Sequence, residues 1–248
     1  MKSMIRFAIR RALARHGVHM CSLGFRFIPS DVSQHMEYSF LNSFVRSDWP
    51  RIIVDIGAND GRTASNSYNL LTEQRWRGVL VEPNITLHST IKSNLQDADY
   101  QLFGVAVSST NGRTELRLDN AGDGKQLMAS IVKESNTWFD SVLSSSFVQV
   151  TMMRLADLLN KASVPKDFGI LSIDTEGHDL NVLSGLEDWR PRLIISEAYP
   201  WNRETYRKKF MLLSKMGYLF ITHLGCNEVF IREDSFEPGT FNYFGRHL

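Results

Sequence analysis

The chain has 248 residues, 43% of them hydrophobic, which is enough for one α/β domain with a sizeable core and too short for two. Lys and Arg number 28 against 27 Asp and Glu, so a net charge of +1 supplies no general field for holding a polyanion, and nucleic acid is not expected as a partner. Two cysteines, Cys21 and Cys226, exclude a disulfide-stapled secreted domain and a paired-cysteine zinc site. With no membrane-spanning run and no secretion signal, we expect a cytoplasmic protein.

The N-terminal segment is basic. Six Lys and Arg residues precede the first acidic residue, Asp31, and apolar residues between Ile5 and Leu13 recur at helical spacing. Such a segment could dock on an anionic membrane surface or an acidic partner, could act as an organelle transit peptide, or could pack its apolar side on the domain. The narrow apolar face, which lacks Trp, favours packing. We expect a helical extension over residues 1–50 that could still make peripheral membrane contact.

Apolar periodicity predicts the elements that follow in the first half of the chain. Val32, Met36, Phe40 and Phe44 lie every fourth residue, which predicts a helix that runs up to Pro50. Strands are predicted at 51–55, 79–82 and 101–107, with helices at 63–72 and along Leu87, Ile91 and Leu95. This alternation predicts βαβ units and a parallel sheet with helices on both faces.

The second half contains an interruption and then a return to the same alternation. Residues 111–153 predict a β-rich insertion. The later elements are helices at 155–161, 179–186 and 206–216, and strands at 169–174, 193–197, 218–223 and 228–232. The last two strands flank a short turn and predict an antiparallel hairpin. The main domain is expected over 51–232 and a tail over 233–248.

A glycine loop follows the first strand. Asp55 closes the strand, and the loop from Gly57 to Gly61 leads into the next helix. Small residues let the backbone approach a ligand closely, and free N–H groups at a helix start favour a carboxylate or phosphate. The spacing differs from G-x-G-x-x-G, which argues against a nicotinamide-dependent dehydrogenase. An acid at the strand end suits a cofactor with a cationic amino group, such as S-adenosylmethionine (SAM).

Glu82 strengthens the prediction of a cofactor site. It ends the second strand about 20 residues beyond Gly61, where an acid can accept both hydroxyls of a ribose. The loop alone could be a turn that merely needs glycine. Together, the loop and Glu82 favour a ribose-bearing ligand, because ligands of parallel sheets bind at the carboxyl ends of the strands.

The fourth strand of the sheet ends in acidic residues. Strand alternation places Asp174 and Glu176 on one side, followed by His178. These three are the candidate catalytic residues, as a general base toward a hydroxyl. Asp174 with Glu197, at the end of the next strand, could instead hold a divalent metal such as Mg²⁺. The structural alternatives are loop hydrogen bonds for Asp174, a helix N-cap for Asp179 and a surface position for His178.

These segments, in this order, resemble the FkbM family of SAM-dependent methyltransferases. The resemblance covers about Arg51 to Arg232 and rests on four segments: Val54 to Gly61, Val81 to Asn84, Ile173 to Gly185, and Ile195 to Glu197. It implies a Rossmann-like class I methyltransferase fold, with seven mostly parallel strands and the terminal hairpin. It also implies SAM as cofactor and methyl transfer to oxygen, often a sugar hydroxyl of a glycan, glycolipid or glycosylated natural product.

The resemblance also assigns residues. By position, Asp55, Gly57, Asn59, Gly61 and Glu82 would line the cofactor pocket, while Asp174, Glu176 and Glu197 would face the acceptor. Two alternatives are disfavoured. One is methylation of a nucleobase or protein nitrogen: adenine and cytosine amino methyltransferases usually show an Asp/Asn-Pro-Pro-aromatic signature, which is absent, and the near-neutral net charge disfavours polyanions. A non-catalytic binding or membrane-docking module would have no need for both the glycine loop and Glu82.

Overall fold

A seven-stranded sheet organises the protein. The structure is a computed structural model, and it describes residues 27–120, 126–131, 144–198 and 202–236. The basic segment 1–26, much of the insertion and the tail beyond 236 lie outside the described residues. The expectations for the N-terminal segment and the tail therefore stay predictions. Within the described residues, no helix is both long and apolar enough to cross a membrane.

The elements are numbered in chain order. The strands are β1 (Ile52–Ile56), β2 (Arg77–Val81), β3 (Tyr100–Phe103), β4 (Ala106–Ser108), β5 (Gly112–Asn120), β6 (Gln126–Ile131), β7 (Ser144–Arg154), β8 (Asp167–Ile173), β9 (Arg190–Glu197), β10 (Tyr218–Leu224) and β11 (Asn227–Arg232). The described helices are α1 (Glu37–Phe44), α2 (Tyr68–Thr72), α3 (His88–Asn94), α4 (Leu155–Lys161), α5 (Asp179–Ser184) and α6 (Arg203–Lys215). Short 3-10 turns occupy Ile85–Leu87 and Glu233–Ser235.

The strand order of the main sheet is β3-β2-β1-β8-β9-β11-β10. Five neighbouring strands of this sheet are parallel, namely β3, β2, β1, β8 and β9. Strand β11 runs antiparallel to both β9 and β10. The expected class I arrangement with a C-terminal antiparallel hairpin is confirmed. The chain moves outward from β1 in one direction through β2 and in the other through β8, so the crevice for a ligand lies at the carboxyl ends of these strands.

The central strands form because their apolar runs can be buried on both faces of the sheet. Ile53, Val54, Ile170 and Leu171 are each 0% exposed. Asp55 of β1 is a polar exception, and it pairs in register with Ser172 of β8. Both are buried, so the two polar residues lie next to each other just below the crevice.

The third predicted strand, 101–107, is in fact two strands in different sheets. β3 belongs to the main sheet, whereas β4 joins a second sheet of order β4-β7-β5-β6. The chain changes sheet at Gly104, where an added Cβ would lie 3.1 Å from side-chain atoms of both His88 and Ile85. The predicted β-rich insertion is confirmed as this second sheet. Its strand β5 brings Leu116 to the ligand crevice.

Two helices begin later in the chain than predicted, each because of the local structure just before it. The helix expected from residue 63 begins at Tyr68, since the Asp60 carboxylate accepts N–H bonds from Arg62 and Thr63 at 2.8 and 2.7 Å. The helix expected from Val32 begins at Glu37, after Met36 in the left-handed region with φ +68°. Residues 27–50 lie in the same compact unit as the sheet. The division at residue 50 stays a prediction.

Candidate active site

A recess opens at the carboxyl ends of β1, β2 and β8, where the strand order places the crevice. Its polar lining is Gly57, Asn59, Glu82, Asn84, Asp174, Thr175, Glu176 and His178. Its apolar lining is Ile56, Val81, Pro83, Leu87, Val105, Ala106, Val107 and Leu116. An apolar wall that faces a few convergent polar groups is the usual composition of a cofactor site.

Glu82 is held at the centre of the polar side. Its Oε2 accepts the Asn59 N–H at 2.9 Å, and its Oε1 accepts the Asn84 N–H at 2.8 Å. Each carboxylate oxygen has a second lone pair for a hydroxyl of a ligand in the recess. Burial raises the pKa of Glu82 to about 7, and the charges of Asp55 and Asp174 act in the same direction while the two N–H bonds oppose them.

The raised pKa of Glu82 predicts how stability depends on pH. An acid whose pKa is higher in the folded state than in the unfolded state destabilises the fold where it must be ionised. Without ligand, the free energy of unfolding should therefore rise as pH falls from 8 through about 7 towards 5, by at most about 3 kcal/mol from this carboxyl.

Urea denaturation across this pH range measures the effect. Glu82→Gln, which cannot ionise, should show a smaller change between pH 8 and pH 5 than the parent protein. Equal pH dependence in the two proteins would contradict an ionisable Glu82 with a raised pKa.

The N–H groups of the glycine loop are engaged within the protein. Gly57 and Ala58 donate to Val81 O at 2.9 and 3.0 Å, and Gly61 donates to Ala58 O at 2.8 Å. Asn59 donates to Glu82, as described above. The expectation that free N–H groups of this loop would hold a carboxylate or phosphate is therefore wrong for these four residues. The loop contributes a close backbone approach instead.

Gly57 provides that close approach. It has φ +95°, and an added Cβ would lie 1.9 Å from the carbonyl oxygen of Asp174. The Asp174 N–H also donates to Ile56 O at 2.9 Å. The ends of β1 and β8 are thus joined so tightly that only glycine fits.

Gly57→Ala should lower the free energy of unfolding by roughly 2–5 kcal/mol, since it combines a backbone clash with left-handed strain. Gly217→Ala is the matched control, because Gly217 has φ +80° but nothing lies within 4 Å of an added Cβ. The control should lose only about 1–2 kcal/mol from strain. Chemical denaturation measures both, and equal losses would contradict the clash at Asp174.

Asp55 and Gly61 lie outside the lining of the recess. The Asp55 carboxylate is 4% exposed and accepts the Ser67 hydroxyl at 2.5 Å. Burial raises its pKa, although hydrogen bonds from Ser67 and Ser172 oppose this. Gly61 packs on Ile91 and Leu95. Of the five predicted cofactor residues, Gly57, Asn59 and Glu82 therefore line the recess. Asp55 and Gly61 instead contact neighbouring parts of the protein.

An acidic cluster, Asp174, Glu176 and Glu197, borders the recess. Each residue offers a carboxylate oxygen within 4.8 Å of the others. Glu176 has φ +53° and begins the turn that carries the chain away from β8. Solvent reaches the Asp174 carboxyl, but the surrounding protein removes part of its hydration, which raises its pKa to about 7. The charges of Asp179 and Asp55 raise it further, and a hydrogen bond with Glu197 opposes them.

His178 lines the recess and is buried, so the structural alternative of a surface position is wrong. It is 5% exposed, with Nε2 at 2.9 Å from Ser108 Oγ and Nδ1 at 3.2 Å from Asn181 Nδ2. Both ring nitrogens thus have partners within the protein. Its catalytic role stays a prediction.

The structural alternative of an N-cap for Asp179 is wrong, because Asp179 links the turn after β8 to the end of β9. It is the first residue of α5, and its Oδ1 accepts the Thr175 hydroxyl at 2.6 Å. Its Oδ2 accepts the Ser196 hydroxyl at 2.8 Å and the Glu197 N–H at 2.9 Å. The carboxylate therefore fixes the turn after β8 against the end of β9.

Sequence reasoning missed several residues around the site. Lys209 of α6 is 3% exposed, donates to Glu197 O at 2.6 Å and forms a buried ion pair with Glu228. The apolar wall of Val105, Ala106, Val107 and Leu116 was also missed. Gly104, just before this wall, was the only available signal, because a glycine within a strand pattern marks a bend or a close approach.

The sequence matches the model of a known protein family. The family model described as "Methyltransferase FkbM domain" matches residues 55–220. Among solved structures, the chain is similar to the precorrin-6y C5,15-methyltransferase from Geobacter metallireducens GS-15, with 13% identity, a TM-score of 0.41, and coverage of 84% of this chain and 92% of that chain. No curated protein matches the chain. Because the family match spans well over half of the chain and includes the glycine loop, Glu82 and the acidic cluster, the protein belongs to the FkbM family and is a SAM-dependent methyltransferase.

Proposed function

We propose that the protein is an O-methyltransferase that acts on a sugar hydroxyl of a glycan, glycolipid or glycosylated natural product. The observation that carries the proposal is the acidic cluster at the border of the cofactor recess. A hydroxyl must lose its proton during methylation, and a carboxylate within reach can accept it. A cluster of carboxylates also suits the hydroxyls of a sugar, which donate hydrogen bonds to such groups.

The recess fits SAM. The free lone pairs of Glu82 suit the two ribose hydroxyls, and the wall of Val105, Ala106, Val107 and Leu116 suits the flat, largely apolar adenine. Gly57, Asn59 and Asp174 line the same recess and would border the rest of the cofactor. When bound, SAM supplies an activated methyl group on a cationic sulfur.

The protein then has three tasks. The recess would hold the cofactor beside Asp174 and Glu176, and its apolar wall would keep water away. Asp174 or Glu176 accepts the proton of the hydroxyl as the methyl group transfers. Asp179 and Lys209 hold the strand end that carries Glu197, so the acceptor meets a fixed surface.

We also propose that the acidic cluster can hold Mg²⁺. Carboxylate oxygens are ligands that this ion prefers, one or two of them together with water, and each of the three residues offers a carboxylate oxygen within 4.8 Å of the others. The ion would then orient the acceptor hydroxyl and make it more acidic. Loss of transfer after chelation and its return with Mg²⁺ would support this role, and full transfer in excess chelator would contradict it.

The proposed function predicts where labelled methyl groups go. Purified protein is incubated with SAM labelled in its methyl group and with separated cell-extract fractions: lipid-linked, polysaccharide, small-molecule, protein and nucleic-acid pools. Label should be recovered as a methyl ether on a sugar after hydrolysis. Label in protein or nucleic acid instead would contradict the proposal.

Label in the lipid-linked pool would mean that the enzyme meets its acceptor at a membrane surface. We propose a cytoplasmic enzyme that can meet lipid-linked acceptors through its basic N-terminal segment, which attracts anionic headgroups. Vesicles with and without anionic lipid, incubated with the full chain, test this. Equal binding to both kinds of vesicle would contradict the proposal.

A further inference from the structure

The acidic cluster has a side that faces away from the cofactor recess. Asp174 and Glu176 line the recess, whereas Glu197 is outside its lining. Glu197 pairs in register with Asn227 at the start of β11, and Ala198, the residue after β9, donates its N–H to Cys226 O at 2.7 Å. The turn between β10 and β11 is therefore the nearest neighbour of the cluster on this side.

The segment from Ser33 to Glu37 packs directly on that turn. Cys226 Sγ lies 3.4 Å from both Gln34 Oε1 and His35 Nε2. The contact with Gly225 is closer still, because an added Cβ there would lie 2.1 Å from Cγ of the His35 ring. The segment and the turn thus form one continuous surface.

The buried carboxylate of Glu37 holds the two parts of this surface together. It is 0% exposed, and its two carboxylate oxygens accept the His35 N–H and the Asn227 side-chain amide, each at 2.7 Å. Its charge is also one of those that raise the pKa of Asp174. Glu37 is thus an anchor that joins this segment to Asn227, the residue that pairs with Glu197 of the acidic cluster.

The side chains above this anchor are polar and accessible. Gln34 is exposed, and His35 and Cys226 are half-buried. Burial raises the pKa of the Cys226 thiol to about 11, and the charges of Glu197 and Asp174 add to the effect. An amide, an imidazole and a protonated thiol offer both donors and acceptors, which suits a ligand with several hydroxyls.

We propose that Gln34, His35 and Cys226 form the acceptor-side wall of the active site and determine which hydroxyl compound it accepts. This inference rests on the proposed O-methyltransferase function. The acceptor lies between the wall and the acidic cluster, with its hydroxyl directed at the cluster, and the cofactor occupies the recess on the opposite side. The wall combines the segment from Ser33 to Glu37 with the turn between β10 and β11, so it needs both parts of the chain.

Two glycine variants of the full chain test the wall. Gly225→Ala places a Cβ into the His35 ring, whereas Gly217→Ala, at the other end of the same hairpin, carries similar left-handed strain into open space. With the labelled-methyl assay, Gly225→Ala should lower transfer on the order of 10²-fold. Its SAM affinity should stay within about twofold of the parent value, since the recess is separate. Gly217→Ala should match the parent protein in both measurements.

A third variant covers the case in which Gly225→Ala fails to fold. Gln34→Trp adds bulk at an exposed position and should preserve the melting temperature while lowering transfer by about tenfold or more. Parental transfer by Gln34→Trp would overturn the inference.

Hydrogen exchange with SAM alone needs no acceptor. SAM should slow amide exchange at 57–61 and 82–84 and leave 33–37 and 225–227 unchanged. Strong protection of 33–37 by SAM alone would place this segment in the cofactor site and overturn the inference. No protection anywhere, with no heat of SAM binding in calorimetry, would instead contradict the proposed function, so the two failures are distinguishable.

Discussion

Asp174→Asn is expected to lower the rate of methyl transfer by about 10²–10⁴-fold, the usual contribution of a positioned general base. Asparagine keeps the size of the side chain and can still hydrogen-bond Glu197, so the acidic cluster should keep its shape. It cannot accept the proton of a hydroxyl. The affinity for SAM should change by no more than about fivefold, since the carboxyl is accessible to solvent.

The control is Asp97→Asn, which makes the same chemical change at an exposed position far from the recess. Its transfer rate and SAM affinity should equal those of the parent protein. Glu176→Gln and Glu197→Gln, measured beside it, show whether another carboxylate of the cluster accepts the proton. If Asp174→Asn and Glu176→Gln both kept the parental rate, neither residue would be the base.

The strands of the main sheet are readable from the sequence because burial on both faces demands continuous apolar runs. The runs around Ile53 and Leu171 therefore predict β1 and β8 within about two residues. The acid at each strand end stands out against such a run. For this reason the amino-acid pattern alone places Asp55, Glu82 and Asp174 at one edge of the sheet.

Helix starts were less predictable because they depend on hydrogen bonds that periodicity does not show. The Asp60 carboxylate accepts hydrogen bonds from the N–H groups of Arg62 and Thr63, so α2 begins only at Tyr68. The same local bonding decides the role of Asp179. From the sequence it resembles an N-cap, but its partners Thr175 and Ser196 come from two different strand ends.

Two other parts of the site, the apolar wall of the recess and the surface around Glu37, depend on contacts between residues that are far apart in the sequence. Leu116 reaches the recess from the insertion, and Glu37 reaches the hairpin from α1 through Asn227. Neither residue stands in a motif. Their positions follow from how the second sheet and the segment from Ser33 to Glu37 pack on the main sheet, which local pattern does not encode. The polar residues of the recess and the acidic cluster were therefore predictable, whereas the apolar wall and the contacts of the segment from Ser33 to Glu37 were not.

Glu82→Ala should weaken SAM binding by about 10–100-fold, because hydrogen bonds to a charged group contribute roughly 1.5–3 kcal/mol. Part of this loss comes from the ribose hydroxyls. The rest comes from the loop, because Glu82 also holds the N–H groups of Asn59 and Asn84, which would be left without their acceptor. Calorimetry of SAM binding, with the melting temperature measured in parallel, separates affinity from stability.

Glu204→Ala is the matched control for the loss of a carboxylate. Glu204 lies on α6 with a 77% exposed side chain, and its ion pair with Lys208 is open to solvent, which screens such pairs strongly. Its SAM affinity should equal that of the parent protein. Glu82→Gln should fall between the two, because one amide oxygen still accepts while the NH₂ group faces a backbone N–H. Equal affinities in Glu82→Ala and Glu204→Ala would remove Glu82 from the cofactor site, and the ribose would then need another partner in the recess.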